Sequence, residues 1–149
     1  MENNGILVDT TILIDFLRKQ NKEKAPLWKL KEKFKNLSIS SISVFELYAG
    51  AIDNKKINDV KSLLQWLDII EFDEELAEMA GNIFIALKKQ NNIIDYRDLF
   101  IGTTAVFYNL EIATLNIDHF ENIPGIKILS TSGIQSNVRR SKNSTKGSS

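Results

Sequence analysis

The 149-residue chain has no cysteine, one histidine and two prolines. Without cysteine there is no disulfide scaffold, no thiolate zinc site and no cysteine nucleophile. The single histidine, His119, excludes any cluster of several histidine ligands. Long apolar runs are missing too. The longest, Ile83 to Leu87, has five residues, against the roughly 18 or more that a spanning helix needs. Glu2 and Asp9 flank the first apolar stretch with no basic leader, which argues against a signal peptide. A net charge of one sign is also lacking, since 19 basic side chains balance 19 acidic ones. No Gly-rich lysine loop of the P-loop kind occurs. What remains is ordinary globular material, 43% hydrophobic and 26% charged, of a length that suits one domain. A soluble cytoplasmic protein is expected.

The zero net charge hides a polarity. Residues 137–149 carry Arg139, Arg140, Lys142 and Lys146 and no acid, which leaves 15 basic against 19 acidic side chains in the first 136 residues. With Val138 as its one apolar residue, this end cannot bury enough to order itself. The expected division is a folded domain over 1–132 and a disordered basic tail over 133–149. A second basic block, Arg18–Lys35, holds eight cations against Glu23 and Glu32. It is either a solvated helix face or a surface that tracks a phosphate backbone.

Short apolar runs alternate with helical spacing. Gly5-Ile6-Leu7-Val8 reads as a buried strand. Thr10 or Thr11 can cap a helix bearing Ile12, Leu13, Phe16 and Leu17. Leu27, Leu30, Phe34 and Leu37 continue helically after Pro26. Leu37 to Ile42 reads as a strand, and a helix follows from about Ser43 to Ala51. Further helices are expected through Ile57 to Leu67, after Asp73, and after Asp95, with strands at 69–72, 112–114 and 126–129. This alternation argues for an α/β three-layer sandwich around a central, mostly parallel twisted sheet. In such sheets ligands bind beyond the carboxyl ends of the strands.

Three acids stand where that rule points. Asp9 ends the first strand, beside a dry core where a lone carboxylate is costly. Glu46 lies in Ser43-Val44-Phe45-Glu46, which also reads as a capping box with Glu46 returning to the Ser43 amide. Asp98 lies in a first helical turn, where the helix dipole favours an acid. Gly102, one turn later, suggests close packing or space left for something bound. Converging carboxylates repel one another, and a divalent cation removes the conflict. Oxygen ligands without cysteine suit Mg²⁺ or Mn²⁺. An ion of that kind polarises a phosphoryl oxygen and acidifies a bound water, so hydrolysis of a phosphate ester is the chemistry to expect.

Four segments then carry a resemblance by their order and spacing: Val8-Asp9-Thr10-Thr11, Ser41-Ile42-Ser43-Val44-Phe45-Glu46-Leu47-Tyr48-Ala49-Gly50, Asp95-Tyr96-Arg97-Asp98-Leu99-Phe100-Ile101-Gly102, and Thr114-Leu115-Asn116-Ile117-Asp118-His119-Phe120 followed by Ile123-Pro124-Gly125-Ile126. Over residues 5–130 the chain resembles a PIN domain of the VapC-like toxin group. The resemblance implies a metal-dependent endoribonuclease that leaves 5′-phosphate and 3′-hydroxyl ends, an RNA substrate, a cognate antitoxin over the acidic site, and a homodimer. It assigns Asp9, Glu46 and Asp98 to the family's first three acids, with Asp9 and Asp98 on Mg²⁺ or Mn²⁺ directly and Glu46 directly or through water. The fourth acid falls at Asn116, which lacks the charge, and Asp118 is the alternative. Thr10, Thr114 and Arg97 are expected to face substrate. His119 is given no catalytic role. A housekeeping nuclease without an antitoxin, a non-catalytic interaction module and a hydrolase of small phosphate esters stay open. For the last, Thr11 stands where a second acid is usual.

Overall fold

The computed structural model describes residues 5–130, so the basic tail lies outside the described residues. Strand β1 (Ile6–Val8) leads into helix α1 (Thr10–Arg18), a short 3₁₀ turn (Lys22–Lys24) and α2 (Pro26–Lys33). Strand β2 (Leu37–Ser40) is followed by α3 (Ser41–Ala49) and α4 (Asn54–Leu64), and β3 (Asp68–Ile70) by α5 (Glu74–Lys89) and α6 (Tyr96–Phe107). Strand β4 (Glu111–Ala113), a second 3₁₀ turn (Ile117–His119) and β5 (Lys127–Ile128) complete the order.

The five strands form one parallel sheet in the order β3-β2-β1-β4-β5. Every strand is short, and β1 is buried throughout. Ile6 and Val8 point to one face, into a core with Ile12, Leu13 and Ile39. Leu7 points to the other, among Leu87, Leu99, Ile101 and Phe120. Two cores, one per face, are what a helix-covered sheet needs, and the three-layer α/β sandwich read from the sequence is the architecture observed. No helix among the described residues is long and apolar enough to cross a membrane.

Several boundaries differ from the sequence reading. Helix α3 starts at Ser41, because the Ser40 hydroxyl accepts from the Ile42 N–H at 3.0 Å and so caps the helix earlier. Leu37 is the first residue of β2, not the end of a helix. The third strand lies over Asp68–Ile70, slightly before the expected position. The cap of α1 is Asp9, not Thr10 or Thr11, and its side chain makes no capping bond. The caps read at Asp73 and Asp95 are present, each side chain accepting from a first-turn N–H. Neither 3₁₀ turn has a signal in the apolar spacing. Gly102 serves packing: a Cβ there would land on the Ile123 Cδ1 and come within 3.3 Å of Phe120.

The strand order places the functional rim. From β1 the chain moves outward to β2 and β3, then returns to set β4 on the other side of β1. The carboxyl ends of β1 and β4 therefore flank the topological switch point, where open α/β sheets bind ligands. Helix α6 feeds β4 from the opposite direction, so its first turn stands over the same edge.

Candidate active site

Asp9 is fastened at the switch point by its own backbone, whose N–H donates to the Ala113 carbonyl at 2.9 Å. The residue is 3% exposed, and a carboxylate so buried needs compensation. Two hydroxyls supply it. Thr11 Oγ1 donates to Asp9 Oδ2 at 2.7 Å, and Thr114 Oγ1 donates to the same oxygen at 2.8 Å. Their direction is fixed from behind: Thr11 Oγ1 accepts from the Leu115 N–H and Thr114 Oγ1 from the Asn116 N–H. Each hydroxyl has one proton, and with its oxygen occupied by a backbone donor that proton goes to Asp9. Among the described residues neither hydroxyl turns to Oδ1, which leaves that oxygen for a cation.

Glu46 is held by a second relay. Buried Ser43 stands 2.7 Å from Thr10 Oγ1, which donates to Glu46 Oε1 at 2.7 Å. With the Thr10 proton committed to Glu46, Ser43 is the donor to Thr10. The other carboxylate oxygen, Oε2, lies 3.4 Å from an Arg97 guanidinium nitrogen. Arg97 also grips Asp95 with two N–H groups at 3.2 Å each, and these bonds hold the Asp95 carboxyl below its usual range. The capping box is thus absent. Ser43 is already inside α3, and Glu46 turns to Thr10 and Arg97 instead of back to the Ser43 amide.

Asp98 sits in the first turn of α6, with Oδ2 3.0 Å from His119 Nδ1. Burial pushes its carboxyl up to about 6, opposed by His119 and reinforced by the charges of Asp9 and then Asp95. Asp9 and Asp98 therefore act on one another across the rim. Glu46 does not complete a trio: among the described residues no three acids or histidines are grouped to hold an ion. Glu46 is held instead by the Thr10 hydroxyl and the Arg97 guanidinium.

The remaining candidates are placed as follows. Thr10 and Thr114 are buried, their hydroxyls engaged with Glu46 and Asp9. Arg97 is exposed and bridges Asp95 to Glu46. Asn116 precedes the second 3₁₀ turn without capping it through its side chain. Asp118, exposed in that turn, lines a cavity of about 240 Å³ with Asp98 and His119. The Arg18–Lys35 block begins at the end of α1 remote from Asp9. Within it Lys19 pairs with Asp15, Lys22 donates to the Phe16 and Leu17 carbonyls, and Lys31 lies 3.5 Å above the Trp66 ring.

Thr11, Ser43 and His119 are the residues the sequence reading passed over. The threonine doublet after a strand-end aspartate was a usable signal for Thr11. His119 lies 21 residues from Asp98, and no local spacing announces their contact. The donor set suits a hard divalent cation through Asp9 and Asp98. It is all oxygen, one Asp9 oxygen is open, and Asp98 is a carboxyl whose ionised form is penalised by burial and by its neighbour.

A profile of the PIN domain matches residues 6–126. Ribonuclease VapC1 of Methanocaldococcus jannaschii is 32% identical over 129 residues, covering 85% of this chain and 88% of its own. Ribonuclease VapC of Rickettsia bellii is 33% identical over 135 residues, covering 84% and 95%. Among solved structures, a DNA-bound VapBC from Salmonella typhimurium matches with a TM-score of 0.76 at 24% identity, covering 84% of this chain and 96% of that one. At that identity the likeness speaks for the fold.

Proposed function

The chain belongs to the PIN-domain family, and from that membership we propose that it is an endoribonuclease of the VapC kind, the toxin of a toxin–antitoxin pair, using Mg²⁺ or Mn²⁺. The observation that carries the chemistry is the fastening of buried Asp9 at the switch point, two hydroxyls on its Oδ2 and its Oδ1 left open, at the edge over which the first turn of α6 presents Asp98. These two residues would hold the ion, with Glu46 beside them. When bound, the ion supplies Lewis acidity to the scissile phosphate and a more acidic attacking water.

The protein's own part is positioning. Thr11 and Thr114 lock Oδ2 of Asp9, so the carboxylate cannot swing when a ligand arrives. Ser43 and Thr10 do the same for Glu46. His119 orients Asp98. Arg97 offers an exposed guanidinium at the mouth of the site, able to leave Glu46 for a phosphate oxygen, a bidentate pairing that suits its planar fork. No side-chain nucleophile is required.

A solved neighbour from Klebsiella pneumoniae, 26% identical with a TM-score of 0.62, is a toxin–antitoxin complex, which supports a protein antitoxin as partner here. A second copy of this chain, an RNA substrate and a cytoplasmic setting belong to the same reading. The absence of a ready three-acid group among the described residues favours a second reading, a PIN fold without catalysis.

One experiment decides between them. Purified protein is incubated with mixed cellular RNA and Mn²⁺, beside an Asp9→Asn, Asp98→Asn variant. Cleavage by the natural protein, lost in the variant and in EDTA, is expected. Equal cleavage by both, or none by either, removes the catalytic reading.

A further inference from the structure

A groove walled by α1, α3 and α4 takes no part in the chemistry above. It encloses about 190 Å³, and its lining includes Arg18 of α1, Lys56 of α4 and Glu46 of the rim. A second cleft of about 450 Å³, lined by Lys19, Lys22 and Lys55, shares the walls Leu17 and Asp59 with it. The two form one furrow. From Thr10, which holds Glu46, to Arg18 is eight residues of α1, about 12 Å of helix.

Charge along the furrow does not balance. Its acids are already answered, Asp59 by Lys55 at 3.1 Å and Glu46 by Arg97 at 3.4 Å. Lys19 is matched by Asp15 at 3.4 Å. Three cations are left over. Among the described residues Arg18 and Lys56 form no ion pair, and Lys22 donates to the Phe16 and Leu17 carbonyls, not to a carboxylate. Arg18 and Lys56 are both exposed, so an anion reaches them without being buried.

We propose that Arg18 and Lys56 hold backbone phosphates of a single-stranded RNA flank that leaves the reaction centre past Glu46 along this furrow. The proposal rests on the nuclease reading and adds to it where the uncut part of the substrate lies. An RNA cut at the rim continues on both sides of the scissile phosphate, so a surface leading off the rim has to carry it. This furrow adjoins Glu46 and carries the surplus positive charge. An acidic protein segment would meet the same cations but would run on into the carboxylates of the rim. A strand being cut has to arrive there. Contacts of this kind add affinity without reading sequence.

The test measures binding of a labelled, unstructured RNA to the full chain carrying Asp9→Asn, so that nothing is cut, over a series of salt concentrations. Adding Arg18→Gln and Lys56→Gln keeps most of each stem and removes two charges. The slope of log affinity against log salt is expected to fall by about 1.4, at about 0.7 per single-strand contact, with binding about tenfold weaker at low salt. Lys88→Gln with Lys89→Gln, the same charge change at the end of α5, is expected to leave both nearly unchanged. With Asp9 restored and Mn²⁺ present, the Arg18, Lys56 variant should raise KM about tenfold and keep kcat, as the loss of uniform binding requires. Trimming one flank of the RNA should remove that difference, and trimming the other should leave it. An unchanged slope, an equal fall in the Lys88, Lys89 control, or a difference that survives trimming of either flank overturns the proposal. So does displacement of the RNA by polyglutamate of equal charge as readily as by unlabelled RNA, which assigns the furrow to an acidic protein. If the natural protein cuts no RNA while the slope falls as stated, the furrow stands and the nuclease reading fails.

Discussion

Asp9 and Asp98 show how differently two carboxylates of one site can be kept. Asp9 is buried but receives two hydroxyl protons. Asp98 is half-buried with less relief, and its carboxyl rises from 3.8 to about 6. The folded apoprotein therefore holds the Asp98 proton over a pH range in which the unfolded chain has released it. Because the folded state binds more protons there, stability falls as pH climbs from about 4 to about 6. A shift of this size is worth at most about 3 kcal/mol, and partial exposure reduces it to about 1–2 kcal/mol. Urea unfolding in EDTA across that window should show the decline, and Asp98→Asn should flatten it. A second prediction concerns Thr114. Replacing it with Val removes one proton from Asp9 Oδ2 and the acceptor for the Asn116 N–H. Outer partners of metal ligands typically cost about 10–100-fold when lost, so cleavage by Thr114→Val should fall by that factor, measured as initial rate at fixed Mn²⁺. At this scale the sequence was legible where the cause is local. The caps at Asp73 and Asp95 act on amides two or three residues away. Asp9 could be placed because a strand ends there. The Arg97–Glu46 and His119–Asp98 contacts join elements far apart in the chain, and no spacing encodes them.

Helix α6 is the element on which the site and the core depend together. Its first turn presents Asp98, while its middle lies close against Phe120 and Ile123, just beyond the second 3₁₀ turn. Gly102 allows that approach. Gly102→Ala gains about 1 kcal/mol of helix propensity but drives a methyl into Ile123 inside a filled core, which costs about 1–3 kcal/mol. A net loss of about 1 kcal/mol is expected by chemical denaturation. Adding Ile123→Val should cost less in that background than in the natural protein, since it removes the clashing methyl. The neighbouring Thr103 is fully buried, and its hydroxyl has no partner among the described residues. Thr103→Val should raise stability by about 1 kcal/mol, the size of a buried polar group's unmet desolvation. Element types were readable because periodicity switches cleanly between strand and helix. The start of α3 was not, since two serines compete for the cap. Ser40 takes that role, and the hydroxyl of Ser43 is drawn to Thr10.

Among the described residues the candidate acids Asp9 and Asp98 stand at the carboxyl edge of the sheet, while the Arg18–Lys35 cations lie towards the far end of α1 and along α2. Lys29, Lys33 and Lys35 are exposed there, and none forms an ion pair with an acid among the described residues. If they bind phosphates, they set affinity without reading sequence. Replacing all three with Gln should weaken RNA binding evenly across sequences and lower the slope of log affinity against log salt by about 2, at about 0.7 per single-strand phosphate contact. Fluorescence anisotropy of a catalytically silent Asp9→Asn background measures it. The strand order has one more consequence. Asp9 and the Thr114 hydroxyl that steadies it are 105 residues apart in the chain, and Asp98 arrives only shortly before Thr114. A nascent chain that stops short of α6 owns one carboxylate of the pair, and one that stops short of Thr114 lacks a hydroxyl that steadies Asp9. The rim is therefore assembled from segments that leave the ribosome far apart in time, and no fragment ending before Thr114 has it whole.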